Sequence, residues 1–126
     1  YMEEMQTDNN IFINLTNHPS NEWSGEQLLA AEKYGKVIDI PFPNVPADAG
    51  TDDIRKLCDI TVDKVMSYHP VIVLCQGEFT LAFKIINRLM DYNVTVVAAC
   101  SERIAVVNGN KKESYFNFTQ FRAYDR

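Results

Sequence analysis

Short apolar runs alternate along the chain with segments whose apolar residues recur at helical spacing. Four runs predict strands: Ile11 to Leu15, Val37 to Ile40, Val71 to Cys75 and Val94 to Ala99. A helix-like segment separates each run from the next. This alternation of strand and helix predicts parallel strands joined by right-handed crossovers.

Capping and termination signals place three helices between these strands. Ser24 to Gln27 has the S-x-x-Q form of a capping box and begins the first helix. The second helix begins near Thr51 and stops before Pro70. The third helix follows the turn Gln76-Gly77-Glu78 and ends at Asn93.

The last part of the chain has a different pattern. A polar loop is predicted from Cys100 to Arg103, after the fourth strand. Ile104 to Val107 and Tyr115 to Phe121 then predict the strands of a β-hairpin, joined by the turn signal Asn108-Gly109. The hairpin is too aromatic to be fully solvated. We therefore expect one of its faces to pack on the core and the other on a second copy of the chain, in a homodimer.

These elements predict one Rossmann-like α/β domain of three layers, with a mostly parallel sheet and a C-terminal antiparallel β-hairpin. The domain covers residues 11–126 and follows a polar N-terminal tail over residues 1–10. The apolar runs are far shorter than the ~20 residues of a membrane helix, and the tail lacks the basic flank and apolar run of a secretory signal. We therefore expect no membrane segment and a cytoplasmic location.

The net charge of the chain and the spacing of its cysteines disfavour two kinds of ligand, long nucleic acids and a structural zinc ion. A formal net charge of -5 disfavours a protein that binds long DNA or RNA. Local arginines and helix N-termini still suit a small anionic nucleotide. Cys58, Cys75 and Cys100 lie inside apolar patterns without CxxC spacing, which predicts buried, reduced thiols rather than a zinc site. We expect neither a metal nor a cofactor.

Ligands of open α/β sheets bind beyond the carboxyl ends of the strands, where this chain has polar loops. Thr16, Asn17 and His18 follow the first strand. His18 suits proton transfer or contact with a phosphate, but a loop histidine with one backbone hydrogen bond is the simpler interpretation. Trp23 suits stacking on a base, although a tryptophan in this position more often packs on the first helical turn.

The turn after the third strand is the most informative of these loops. Gly77 lets the backbone approach a ligand, and the amides from Glu78 to Thr80 begin a helix, which predicts an anion site with Gln76 beside it. The alternative is that Thr80 only caps the helix and Glu78 only complements its dipole. The turn is neither GxGxxG nor a Walker loop, which disfavours ordinary dinucleotide and nucleoside triphosphate sites.

Ser101 and Arg103 follow the fourth predicted strand. The planar guanidinium of Arg103 suits a phosphate better than a lysine would. The alternative for Arg103 is an ion pair with Glu102 or Glu78.

Four tracts taken together resemble the small, single-domain proteins similar to the CRISPR-associated Rossmann-fold (CARF) family, which serve antiviral defence. The tracts are Asn14-Leu15-Thr16-Asn17-His18-Pro19, Asp39-Ile40-Pro41-Phe42-Pro43, Gly77-Glu78-Phe79-Thr80 and Ala98-Ala99-Cys100-Ser101-Glu102-Arg103. The resemblance covers most of the chain from Ile11 to Tyr124. It implies a homodimer that binds a cyclic oligoadenylate second messenger across its interface, through the loop at Thr16 to Ser20 and the turn at Gly77 to Thr80.

Some proteins of that family are ring nucleases, which cleave the messenger. Cleavage needs no metal if the protein holds a ribose 2′-hydroxyl in line with its own 3′-phosphate. The resemblance then suggests Thr80, Ser101 and Arg103 as donors to the phosphorane and His18 as the proton carrier. No catalytic signature of ring nucleases matches this sequence residue by residue, and no appended effector nuclease is expected.

Two other classes of function stay open at this point. An enzyme acting on a nucleoside or sugar phosphate would have an enclosed pocket with a close Glu78–His18 pair. A non-catalytic interaction subunit would have an exposed aromatic hairpin and no pocket.

Overall fold

The computed structural model describes residues 9–126, which form a five-stranded sheet with helices on both faces. The strands are β1 (Ile11–Leu15), β2 (Lys36–Asp39), β3 (Ile72–Cys75), β4 (Thr95–Asn108) and β5 (Lys111–Ala123). The helices are α1 (Gly25–Glu32), α2 (Thr51–Met66) and α3 (Phe79–Asp91), and a 3₁₀ turn at Ser20–Glu22 precedes α1. The predicted polar tail over residues 1–10 lies mostly outside the described residues.

The strand order is β2-β1-β3-β4-β5, the order of a doubly wound sheet. Strands β1 to β4 pair in parallel, and β5 pairs antiparallel with β4. The chain moves from β1 outward to β2 and then crosses back to β3, so the direction of winding reverses between β1 and β3. The loops that follow these two strands open a crevice at the carboxyl edge of the sheet. The predicted Rossmann-like α/β class with a C-terminal hairpin is confirmed.

Alternate residues of the central strands enter two separate cores. Ile13 and Val73 belong to a cluster with buried side chains of α2 and α3. Phe12 and Leu74, their neighbours along the strands, belong to a second cluster on the side of α1. This alternation is the consequence of the two-residue period of a strand. It explains why β3 is apolar throughout and why β1 is apolar except at Asn14.

Local signals place the helix boundaries close to the predicted positions. The Ser24 hydroxyl caps α1 by accepting a hydrogen bond from the Gln27 amide at 3.2 Å. Helix α2 begins at Thr51, as predicted. Asn93 follows α3 with φ of 61°, the left-handed conformation that asparagine tolerates at the end of a helix.

The predicted loop from Cys100 to Arg103 is wrong, because β4 continues through it to Asn108. A register shift between Cys100 and Ser101 marks a bulge, and the ladder with β5 resumes beyond it. The distal part of the hairpin has solvent on both faces. A strand in that position does not need an apolar face, so polar residues do not end β4. The turn beyond Asn108 contains Gly109, whose φ of 65° suits a two-residue hairpin loop.

Residues 101–118 form a projection that we call the arm. Its base packs on the domain through Phe118, which is 9% exposed, whereas Phe116 is 72% exposed. The expectation that one whole face of the hairpin packs on the core therefore holds only at the base.

The three cysteines are free thiols, with Cys58 and Cys75 buried. The prediction of a buried thiol is wrong for Cys100, which is half-buried because β4 leaves the core at this point. No helix within residues 9–126 is long and apolar enough to cross a membrane.

Candidate functional site

A cavity of about 620 Å³ lies at the carboxyl edge of the sheet, where the winding reverses. We call it the edge cavity. Its walls come from the loop after β1, the start of α1, the turn after β3, and the base of the arm. It is lined by Thr16, Asn17, His18, Glu22, Trp23, Ser24, Gln27, Leu74, Gln76, Gly77, Ala99, Ser101, Phe116 and Phe118.

Asn14, a buried residue of β1, anchors the loop that forms one wall. Its Nδ2 donates to the His18 carbonyl and to Oδ1 of Asp39, both at 2.9 Å. Its Oδ1 accepts from the Thr16 hydroxyl at 2.8 Å. The Asp39 carboxylate in turn accepts from the Ser20 hydroxyl at 2.9 Å. Both ends of the Asn14 amide are satisfied, so the network joins β1, β2 and the loop without an unpaired buried group.

The backbone of His18 is held from two sides, while its imidazole lines the edge cavity. Besides Asn14, the indole Nε1 of Trp23 donates to the His18 carbonyl at 3.1 Å. The His18 side chain is exposed and makes no hydrogen bond with any residue of the range 9–126. The loop therefore presents a free imidazole from a fixed backbone, which differs from the simpler interpretation of a side chain bonded to the backbone.

Trp23 packs on residues of the sheet, and its ring also lines the edge cavity. Its ring meets Phe12 edge-on, with centroids 6.2 Å apart, and also contacts Phe121 at 6.5 Å. These contacts fix the entry to α1. The same ring lines the edge cavity, so it offers a rigid apolar wall.

The turn after β3 contributes Gln76 and Gly77 to the edge cavity. Oε1 of Gln76 accepts from the Ala99 amide at 2.9 Å, which joins the end of β3 to β4. The Gln76 NH₂ group donates to no residue of the described range. Gly77 does not have a positive φ; a Cβ there would instead lie 2.4 Å from the ring of Phe42. The glycine is required by packing against Phe42 rather than by backbone conformation.

Of the amides from Glu78 to Thr80 that were predicted to receive a ligand anion, the Thr80 amide binds the carboxylate of Glu78 instead. Glu78 is the N-cap of α3 and accepts from the Leu81 amide at 2.8 Å and the Thr80 amide at 3.0 Å. The Thr80 hydroxyl donates to the same carboxylate at 2.7 Å. These bonds, the hydroxyl first among them, lower the pKa of Glu78. Neither Glu78 nor Thr80 lines the edge cavity.

Ser101 and Arg103 lie on β4 of the arm rather than in a loop. Ser101 pairs with Phe118 and Arg103 with Phe116, so these four side chains share one face of the arm. Ser101 lines the edge cavity, whereas Arg103 lies two residues further out, about 7 Å along the strand. Arg103 makes no ion pair with any residue of the described part of the chain. It is an unpaired cation at the rim.

The structure thus brings together seven of the ten residues predicted for the site and leaves three outside. Those that line the edge cavity are Thr16, Asn17, His18, Trp23, Gln76, Gly77 and Ser101. Sequence reasoning missed Glu22, Gln27 and Phe116. Gln27 could have been predicted from its position in the sequence. It lies in the first turn of α1, and the first turn of a helix that follows a parallel strand lies at the edge of the sheet where that strand ends.

The edge cavity is polar but nearly without charge. Glu22 and His18 are its ionisable side chains, and neither a lysine nor an arginine is among the residues that line it. Its hydrogen-bonding groups are mostly neutral: the carboxamides of Asn17, Gln27 and Gln76 and two serine hydroxyls. Within residues 9–126 no three His, Cys, Asp or Glu side chains come together as a metal site. The cavity suits the uncharged part of a ligand, with any phosphate at the rim.

A protein-family model matches nearly the whole chain. Residues 10–122 match the model described as "Uncharacterized protein MJ1673 family". No curated protein matches the chain. The chain belongs to the MJ1673 family, whose description names neither a ligand nor an activity.

Proposed function

We propose that this member of the MJ1673 family binds an adenine nucleotide in the edge cavity. The observation that carries the proposal is that three carboxamides, Asn17, Gln27 and Gln76, line the same cavity as two aromatic side chains, Trp23 and Phe116. A carboxamide matches the N6 and N7 edge of adenine, and aromatic side chains stack on bases. The cavity volume of about 620 Å³ falls in the range of sites for ligands of this size.

We further propose a cyclic oligoadenylate as the physiological form of the ligand, with the protein acting in the cytoplasm as part of a CRISPR-linked antiviral response. This choice rests on the resemblance to the CARF proteins and on size. A ring of several adenylates is larger than one edge cavity, so the ring would place one adenine in each cavity of a homodimer. Arg103, unpaired at the rim, would then meet a ring phosphate.

Cleavage of the ring is a separate possibility that the same site allows. The ribose 2′-oxygen would form a bond to its own 3′-phosphorus while the bond from phosphorus to the next 5′-oxygen breaks. The 2′-hydroxyl loses a proton and the 5′-oxygen gains one, and His18 is the side chain in the cavity that suits this transfer. The products would be a 2′,3′-cyclic phosphate and a 5′-hydroxyl, without any metal or co-reactant.

A thermal-shift screen followed by calorimetric titration tests the binding proposal. The ligands are adenosine, AMP, cyclic oligoadenylates of different ring sizes, and the matching guanine compounds. A ligand at about 100 times its Kd adds about 2.7 kcal/mol to the free energy of unfolding, so binding is readily detected. We expect adenine ligands to raise the Tm, and guanine ligands to have little effect.

Two variants separate the base site from the rim. Gln27→Ala is expected to weaken binding of adenosine and of the ring alike by about tenfold, the effect of losing one good base contact. Arg103→Ala is expected to weaken the ring alone and to reduce the salt dependence of its binding. Gln120→Ala, an exposed carboxamide on β5 outside the edge cavity, is the matched control.

The outcomes distinguish the remaining alternatives. Binding of mononucleotides without rings would favour a small-molecule enzyme, although the Glu78–His18 pair expected of that enzyme is not formed. An absence of any nucleotide effect would sink the proposal and favour an interaction subunit, a role with which the exposed Phe116 agrees.

A further inference from the structure

Helix α3 has apolar residues on two adjacent faces, and the chain covers one of them. The inner face is buried in the main core through Leu81, Ala82, Ile85 and Leu89. The outer face carries Phe79 and Phe83, which are 88% and 70% exposed, followed by the half-buried Ile86 and Met90. Residues 79, 83, 86 and 90 follow the spacing of a helix-packing stripe. A helix that is apolar on two faces is expected to pack against two partners.

The outer face has a ridge and grooves, as helix-packing surfaces do. Phe79 and Phe83, one turn apart, form a ridge. On one side of it lies a hollow of about 510 Å³ toward Ile54 at the start of α2. On the other side lies a hollow of about 630 Å³ toward Met90 and Tyr124.

We infer that this ridge and its two hollows, the α3 face, form the surface through which two copies of the chain associate about a two-fold axis. A two-fold interface uses the same patch on both copies, so the patch must complement itself. A ridge with a hollow beside it meets that condition, because the ridge of each copy enters the hollow of the other. The ridge itself carries no charge, and the charged side chains of this surface line the hollows: Lys84 in the smaller one and Asp125 and Arg126 in the larger one.

The buried area fits a small, concentration-dependent dimer. Phenylalanine rings bury about 150–250 Å² each, so the two rings of each copy, at their present exposure, remove about 600 Å² from water in a dimer. The hollow walls that they cover add to this area. The sum stays below about 1,200 Å², the size class of weak and transient interfaces.

The α3 face is better suited to this role than the arm, where the sequence predicted the contact. The exposed apolar residues of the arm are mixed with the charged side chains of residues 102, 103 and 111–113. The α3 face also touches the edge cavity, since Gln76 and Gly77 line both the cavity and the larger hollow. Association through α3 therefore places the edge cavity of each copy next to the interface. The surface assignment itself does not depend on which ligand the cavity binds.

Sedimentation of the full chain without ligand tests the inference. The wild-type protein is expected to be a dimer at micromolar concentration. Phe83→Glu is expected to raise the dimer Kd by about 30-fold or more, the effect of losing a hot-spot aromatic. Ile60→Glu, at a residue of α2 that is 67% exposed, and Phe116→Glu on the arm are the matched controls and should leave the Kd unchanged.

Two results would overturn the inference. One is a wild-type chain that stays monomeric at high micromolar concentration, which would assign the α3 face to a different protein. The other is dissociation by Phe116→Glu with no effect of Phe83→Glu, which would return the interface to the arm.

A cross-linking experiment excludes a mere folding defect. In a Cys100→Ser background, Lys84→Cys keeps both rings of the ridge and lies in the smaller hollow, so it should form covalent dimers with a short bis-maleimide, whereas Ile60→Cys should not. Equal cross-linking of the two variants would contradict the assignment. Phe83 is exposed, so Phe83→Glu is not expected to change the melting curve of a dissociated monomer by more than a surface substitution does.

Discussion

The substitution Gly77→Ala places a methyl group against the ring of Phe42. An ideal Cβ at position 77 would lie 2.4 Å from Cδ1 of that ring and 2.5 Å from both Cε1 and Cγ. Phe42 is 3% exposed and belongs to the main core. Because Cγ is bonded directly to the Cβ of Phe42, rotation of the ring about its own axis cannot remove the overlap. The loop that carries Phe42 must move instead.

The expected cost follows from the behaviour of overpacked cores. An added methyl group that forces backbone shifts costs about 1–3 kcal/mol. At this chain length, each kcal/mol lowers the Tm by about 3–5 °C. Urea denaturation gives the free energy of unfolding and calorimetry gives the Tm. Gly25→Ala is the matched control, since a Cβ there meets nothing within 4 Å.

A double-mutant cycle identifies Phe42 as the cause. Phe42→Leu removes ring atoms at the point of overlap, so Gly77→Ala should cost less in that background by about 0.5–3 kcal/mol, the coupling expected of residues in contact. An equal cost in both backgrounds would refute the steric argument. So would a Gly77→Ala protein with wild-type stability and lost ligand affinity, because that result would mean that the glycine serves the ligand.

Three further predictions concern the buried polar network, the cap of α3 and the thiols. Asn14→Ala should lower the free energy of unfolding by about 2 kcal/mol, measured in urea, because it leaves buried partners of the amide unpaired; a neutral effect would mean that water replaces the network. The pKa of Glu78 is lowered from its ordinary value of 4.5, so its contribution to stability is present above that pH and is lost as the pH falls through the folded value. Glu78→Gln should therefore be less stable than wild type at neutral pH and differ less from it in acid, as urea midpoints across that range would show. In native protein a thiol reagent should label Cys100 first, since burial raises the pKa of Cys75 to about 12 and that of Cys58 in the same direction; equally rapid labelling of all three would contradict this.

Much of the fold was predictable because its elements meet the core in regular ways. Ile11–Leu15 lies between two helical layers, so every position but Asn14 is apolar, and such a run is typical of a buried strand. Helix α2 packs one face on the sheet, and its apolar residues therefore recur at helical spacing between Thr51 and Met66. Both signals report burial, and both elements are buried.

The hairpin of the arm was predicted, but its first residues, 101–103, were not predictable by the same reasoning. Strands are recognised in a sequence by their buried apolar positions. The polar run Ser101, Glu102 and Arg103 lacks such positions, so it was interpreted as a loop. In a two-stranded ribbon with solvent on both faces, the backbone ladder still forms but no face requires apolar side chains. The strand is then specified by the turn at Gly109 and by cross-strand pairs, and these give a weaker signal in a sequence.

The candidate site was predictable in position but not in its bonding. Parallel strands direct their following loops to one edge, so Thr16 and Gln76 were certain to be near each other once the sheet was known. The amides at the N-terminus of a helix can bind either a ligand anion or a nearby carboxylate of the chain, and composition does not decide between them. In α3 the Glu78 carboxylate accepts from the Thr80 and Leu81 amides. That occupation changes the interpretation of the site. No lysine or arginine lines the edge cavity, and the Thr80 and Leu81 amides are held by Glu78. The cation nearest to hand for a ligand phosphate is then Arg103 on the arm, and the cavity itself suits the base.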